Sequence, residues 1–175
     1  MSRLIMFCAV VLGVVCSVGA GGNKDQNVLK LPGGTVIAPD GYVWKKVHQE
    51  RMGGKTMVMY GAASKESNAT LVLGIVPQTA ENDDARIDTV KSYFETSVMS
   101  LKKAGVKDLK ATPPDLRPPL ADKVEFSISF TNKRDEACVL SGRVFFTKKI
   151  YLIEAFAGNN QEAEALVRVT DALSE

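Results

Sequence analysis

Cys138-Val139-Leu140-Ser141-Gly142-Arg143-Val144-Phe145-Phe146-Thr147, then Lys148-Lys149, then Ile150-Tyr151-Leu152-Ile153-Glu154-Ala155-Phe156-Ala157 and a helical tail to Leu173: this stretch decides the fold. Two β-rich runs flank a short polar break, the pattern of an antiparallel hairpin. The break is Lys-Lys rather than Asn-Gly, which leaves the turn type open. Val144, Phe146, Leu152, Ile153 and Phe156 supply the apolar surface of a central strand pair. Asn159 stands three residues before Glu162, the spacing of a capping box. Leu166, Val169 and Leu173 follow at helical spacing, with Ala165 and Ala172 beside them. A closing helix can therefore lie across the sheet that its own hairpin begins. The stretch defines an architecture and carries no chemistry.

Upstream, the same reasoning finds three further strands and a long helix. Tyr42 to Gln49 alternates without a wholly apolar face, which suits an edge strand. Gly53-Gly54 turns the chain into Thr56 to Tyr60. Ala69 to Val76 is apolar on both faces and reads as a central strand, stopped by Pro77. Asn82, Asp83 and Asp84 open a helix that Lys102 and Lys103 close, matching the helix dipole. Ile87, Val90, Phe94, Val98 and Leu101 step by three and four and predict its buried stripe, centred on Phe94, with Glu95 facing solvent. Gly105 is a natural residue after the C-cap. Val106 to Leu109 is an optional short strand. Thr112 to Leu120 carries two proline pairs and cannot be regular structure. Lys123 to Thr131 alternates strictly and predicts a half-exposed strand. Short links between consecutive strands imply antiparallel pairing. The expected class is α+β: a six- or seven-stranded antiparallel sheet packed by two amphipathic helices, in a single domain over residues 32–175.

Residues 1–20 read as a signal peptide. Arg3 gives a positive start, Leu4 to Cys16 is apolar apart from Gly13, and Val18-Gly19-Ala20 suits a signal peptidase. Lipidation at Cys16 ranks second, because Val15 is not the small residue such a site wants. An uncleaved anchor ranks third, because the apolar run is short of the roughly 20 residues of a spanning helix. Residues 21–31 read as a flexible leader. Removal of the first 20 residues leaves 155 of 175 and lowers the formal charge from +2 to +1. That balance gives no support to nucleic-acid binding. Cys138 is then the one remaining cysteine, so no disulfide forms within the chain, and it reads as a small buried hydrophobe.

Leu31-Pro32, Gly41-Tyr42-Val43-Trp44, Gly142-Arg143-Val144-Phe145-Phe146 and Ile150-Tyr151-Leu152-Ile153 stand at matching places in a known arrangement. With the element order, they make the chain resemble the fold group of the PsbP extrinsic photosystem proteins, the Ran-binding Mog proteins and the DcrB-type lipoproteins. The resemblance spans most of residues 31–173 and implies a binding or assembly role without a shared catalytic motif. It carries over no functional residue, and a shared fold does not by itself give a function.

Chemical motifs are sparse. His48 is the single histidine, and no nucleophile motif accompanies it, so it reads as a strand residue rather than a base. Zinc would need more His and Cys than His48 and Cys138. Glu81, Asp83 and Asp84 offer oxygens for calcium but read better as acids at a helix start. Gly33-Gly34 and Gly53-Gly54 lack the lysine spacing of a phosphate loop. Asn68-Ala69-Thr70 matches the glycosylation acceptor pattern of eukaryotic secreted proteins. The proline-rich segment reads as a stiff connection before a docking motif. Lys45-Lys46, Lys102-Lys103 and Lys148-Lys149 would form an anionic-partner patch only if they converged.

The expectation is an exported, periplasmic or secreted, non-catalytic binding or assembly module. It has no catalytic residue, no cofactor and no metal. Its partner is another envelope or extracellular protein, with neither nucleic acid nor a transmembrane domain in the mature chain. The alternatives are a small-ligand carrier, with a pocket between helix and sheet near Trp44, Tyr60 and Phe94, and an enzyme of unrecognised type.

Overall fold

A computed structural model of the chain describes residues 27–52, 55–64, 68–76, 80 and 82–173, with side chains outside that description at 47–52 and 55–57. The signal peptide expected over residues 1–20, the first part of the leader and the Gly53-Gly54 turn lie outside the described residues. The described chain runs β1 (Val28–Leu31), β2 (Gly34–Ile37), β3 (Tyr42–Met52), β4 (Lys55–Ser64), β5 (Thr70–Val76) and α1 (Asp83–Lys103). It continues through β6 (Lys107–Thr112), β7 (Lys123–Thr131), β8 (Ala137–Phe146), β9 (Ile150–Ala157) and α2 (Asn160–Arg168), ending in a 3-10 turn at Val169–Ala172. Seven strands form one sheet in the order β3-β4-β5-β9-β8-β7-β6, and β1 pairs with β2 in a second, small sheet. Every pairing is antiparallel. The fold class is α+β.

Strand composition follows position in this order. β5 is buried at every residue, and β9 at every residue but the half-buried Phe156. Both lie centrally with protein on each face, which is why their sequences are near-continuous apolar runs. β7, one strand in from the edge, alternates buried Val124, Phe126, Ile128 and Phe130 with Glu125, Ser127 and Ser129 on its more open face. β6, at the edge, has no fully buried residue and carries Lys107 and Lys110. Charged edges of this kind discourage strand addition.

Asn82 caps α1, its Oδ1 accepting from the Ala85 N–H at 2.9 Å, and Gly105 leaves the helix end at φ +74°. The 21 residues span roughly 30 Å, enough to cross the four strand spacings between β5 and β6, roughly 19 Å. The buried face is rotated from the one expected. Val90, Tyr93, Thr96, Ser97 and Leu101 are buried, whereas Ile87, Phe94 and Val98 are half-buried at its margin. Tyr93 rather than Phe94 is the centre: its ring meets Phe126 edge-on at 5.6 Å, with Phe94 on the same ring at 5.3 Å. A stripe drawn through aliphatic and Phe positions passes over a tyrosine and a serine, and these are the residues the sheet takes in. Glu95 is exposed, as expected.

The other face carries a second layer. Leu71, Leu73, Tyr151, Ile153 and Phe145 pack there against α2 and the β1–β2 hairpin. The Asn159 side chain caps α2, accepting from the Glu162 N–H at 2.9 Å. The buried residues are Ala163, Leu166, Val167, Thr170 and Leu173, while Ala165 and Ala172 face solvent, and the chain tightens into a 3-10 turn after Arg168. Part of the leader expected over 21–31 is regular structure. Val28–Leu31 is a strand, Leu29 and Val36 are buried, and the Gly33 N–H donates to the Tyr151 hydroxyl at 3.1 Å. Burial pushes the Tyr151 pKa up, and the Gly33 hydrogen bond offsets part of the rise. Among the described residues no helix is long and apolar enough to cross a membrane.

Candidate functional site

α2 has nine residues and reaches only roughly 13 Å. It packs over β8 and β9 and touches β5. Among the described residues the same face of β7 and β6 is left uncovered, and the sheet there has a hydroxyl-bearing floor. One cross-strand row carries hydroxyls, Thr112 opposite Ser127 and Ser127 opposite Ser141. The next row sets Glu125 opposite Arg143. Glu164, Val167 and Arg168 of α2 form the wall. Together they enclose a half-open groove of about 330 Å³, roughly ten water volumes.

Arg143 organises this site. It is the one charged residue of a largely apolar strand and is 5 % exposed. A guanidinium so placed needs charged partners and filled donor sites. Its Nε and Nη2 both donate to Glu125 Oε1, at 2.9 and 2.5 Å. Its Nη1 donates to Asp171 Oδ1 at 2.6 Å, to Thr170 Oγ1 at 3.1 Å and to the Val167 carbonyl at 3.4 Å. The residue thus ties the end of the closing helix to the sheet. Burial alone would raise the Asp171 pKa; the hydrogen bond and charge of Arg143, joined by Lys123 at 3.5 Å, outweigh it and hold the carboxyl below its ordinary range. One donor hydrogen and one acceptor oxygen are left over. Among the described residues nothing takes the second Nη2 hydrogen of Arg143 or pairs with Glu125 Oε2.

The opposite face has its own buried charge. Glu154 is 1 % exposed beneath α1, and Ser97 Oγ donates to its Oε1 at 2.6 Å. Gly142 lies beside it in the adjacent strand, with the tip of the Phe126 ring over the glycine: a Cβ there would stand 2.1 Å from Phe126 Cζ. Neither Arg143 nor Glu154 emerges as a candidate from periodicity. The available signal was a single charge inside each of two apolar β-runs.

The residues singled out from sequence are dispersed. Trp44 and Tyr60 pack in the layer that contains α2, and Phe94 in the layer under α1. The sheet stands between them, so Trp44, Tyr60 and Phe94 do not form one pocket. Strand alternation decides this: Trp44 pairs with Ala62, two residues from Tyr60 and on the same face, while α1 covers the other. His48 lies in β3, at the sheet edge opposite the groove. Asp83 and Asp84 occupy the first turn of α1, and Asp83 Oδ2 accepts from the Leu120 N–H at 3.3 Å. Among the described residues no three His, Cys, Asp or Glu side chains are grouped to hold a metal. Cys138 is buried under α1, where desolvation and the Glu136 charge raise its pKa against a hydrogen bond from Asn132. Asn68 is exposed just before β5, whereas Thr70 is buried. The proline-rich segment is tethered by half-buried Leu116 and buried Leu120, with Asp115 and Arg117 paired outside. The lysine pairs lie in β3, in the last turn of α1 and in the β8–β9 turn. The last two are at opposite ends of β8, since Gly105 after α1 approaches Lys133 of the β7–β8 turn.

Compared with models of known protein families and with curated proteins, the chain matches none.

Proposed function

We propose that this protein is an exported, non-catalytic binding module that acts outside the cytoplasm, and that the groove beside α2 is where it binds. The observation that carries the reading is the pairing of a hydroxyl-lined floor with a buried guanidinium that retains an unpaired donor hydrogen. Few convergent polar groups in a concave site are the usual form of a recognition site. The groove's hydroxyls have carboxylates beside them, and the chain's one histidine is at the far edge of the sheet, which favours binding over acyl transfer. Export rests on the apolar run from Leu4 to Cys16 and the small residues that follow. In this reading the partner is another envelope or extracellular protein, and the two helices act as amphipathic covers of the sheet. Membership of the PsbP, Mog and DcrB fold group belongs to the same proposal and rests on the quoted residues and the element order.

A small-ligand carrier is the second reading, favoured by the groove volume, which falls at the lower end of the range for ligand pockets. Capture experiments on envelope extracts test the first reading. The native protein should retain a discrete partner that a Ser127→Trp variant, with the groove filled, releases. Equal retention by both proteins would remove the groove from the function. Mass spectrometry of the exported protein tests the address: a chain beginning at or near Gly21 is expected, and a lipid on Cys16 would overturn it.

A further inference from the structure

The charges in and beside the groove are of both signs. Arg143 meets Glu125 and Asp171, and Arg168 stands 3.9 Å from Glu164. A ligand with one sign of charge would meet a repelling group beside every attracting one, so the arrangement discriminates against simple anions and simple cations alike. A ligand with both charges close together can lie against the Arg143–Glu125 pair with its dipole reversed. The open valences are the right ones for this: a remaining N–H on Arg143 Nη2 and an open Oε2 on Glu125. Ser141 adds a hydroxyl that opens into the groove. The residue is 6 % exposed and lines the groove, and its hydroxyl has no hydrogen-bond partner among the described residues.

We propose that the groove binds a small dipolar molecule bearing an ammonium and a carboxylate, a free amino acid or a short peptide. The ligand carboxylate accepts from Arg143 Nη2 and the Ser141 and Ser127 hydroxyls, and its ammonium donates to Glu125 Oε2. The volume suits a molecule of this size. The inference rests on the groove being the binding site.

Titration calorimetry and amide chemical shifts of the purified protein test it. The probes are L-alanine and L-alanyl-L-alanine, which separate the two sources, with propionate and ethylammonium as single-charge controls. Saturable binding of at least one dipolar probe is expected, with the controls roughly tenfold or more weaker. Arg143 also anchors the closing helix, so its replacement could unfold the protein; Ser141→Val and Ser127→Ala carry the test instead. Each should weaken the dipolar probe roughly three- to tenfold while leaving the melting curve in place. Overturning results are no saturable binding of either dipolar probe, equal binding of a control, or unchanged affinity in both serine variants. If these appear while partner capture still depends on Ser127, the binding-module reading stands and the ligand class falls.

Discussion

The two faces of the sheet treat buried charge in opposite ways. Under α1, Glu154 is sealed at 1 % exposure and met by a hydroxyl. Under α2, Arg143 is 5 % exposed but met by two carboxylates whose own side chains are half in water, 60 % for Glu125 and 51 % for Asp171. Helix length separates the two cases. α1 crosses to the far edge of the sheet, whereas α2 stops above its centre and, among the described residues, leaves β7 and β6 open. The same sheet is therefore a closed core on one side and a groove on the other. Charge in the closed layer serves packing and is costly to disturb; charge beside the groove has room for a ligand.

Deleting the ring at the centre of the closed layer should have the largest effect. Tyr93→Ala should cost about 3–5 kcal/mol in urea denaturation, from lost burial plus a cavity. Phe94→Ala should cost clearly less, since that ring is half-buried; the reverse ranking would return the centre of the stripe to Phe94. Gly142→Ala comes next. A methyl group must displace the Phe126 ring, and about 1–3 kcal/mol of overpacking strain should appear as a lowered melting temperature. Ser97→Ala removes the hydroxyl from a sealed carboxylate and should also cost about 1–3 kcal/mol. A loss below that range would show water reaching Glu154 and would blur the contrast between the faces.

On the groove side the effect should be smaller and dependent on pH. Asp171→Asn should lose no more than about 1 kcal/mol, because half of the side chain is in water and screens the pair. The folded-state pKa of Asp171 lies below its ordinary 3.8, so its contribution is complete above that value and fades as pH falls through the folded pKa. Stability curves of wild type and variant should therefore converge in acid; a gap that persists well below pH 3.8 would mean a role other than charge. Smallest of all, Glu95→Ala on the exposed face of α1 should change chemical-denaturation stability by no more than about 0.5 kcal/mol.

Much of the architecture was legible in local pattern. Asn82 and Asn159 cap the helices where their spacing places them, and Gly105 ends α1. Strict alternation in Lys123–Thr131 and the apolar runs of β5 and β9 report edge-near and central strands. The β1–β2 hairpin was missed because four-residue strands around Leu31-Pro32-Gly33-Gly34 show only their turn. The groove residues were not legible as a site, because Thr112, Ser127, Ser141 and Arg143 are distant in sequence and meet only through cross-strand register.

Caps, turns and hydrophobic periods act over a few residues, so the sequence alone determined both helices and the longer strands. Which face each helix covers is a longer-range matter. It depends on the crossover from β5 to the far edge at β6 and on how far each helix reaches. That placement put Phe94 on the side of the sheet away from Trp44 and Tyr60, gave Arg143 its two carboxylates and Glu154 its serine, and made the groove over β7 and β6 beside α2. Only the tertiary structure could decide these, because each is a meeting of residues that no local hydrogen bond or period connects.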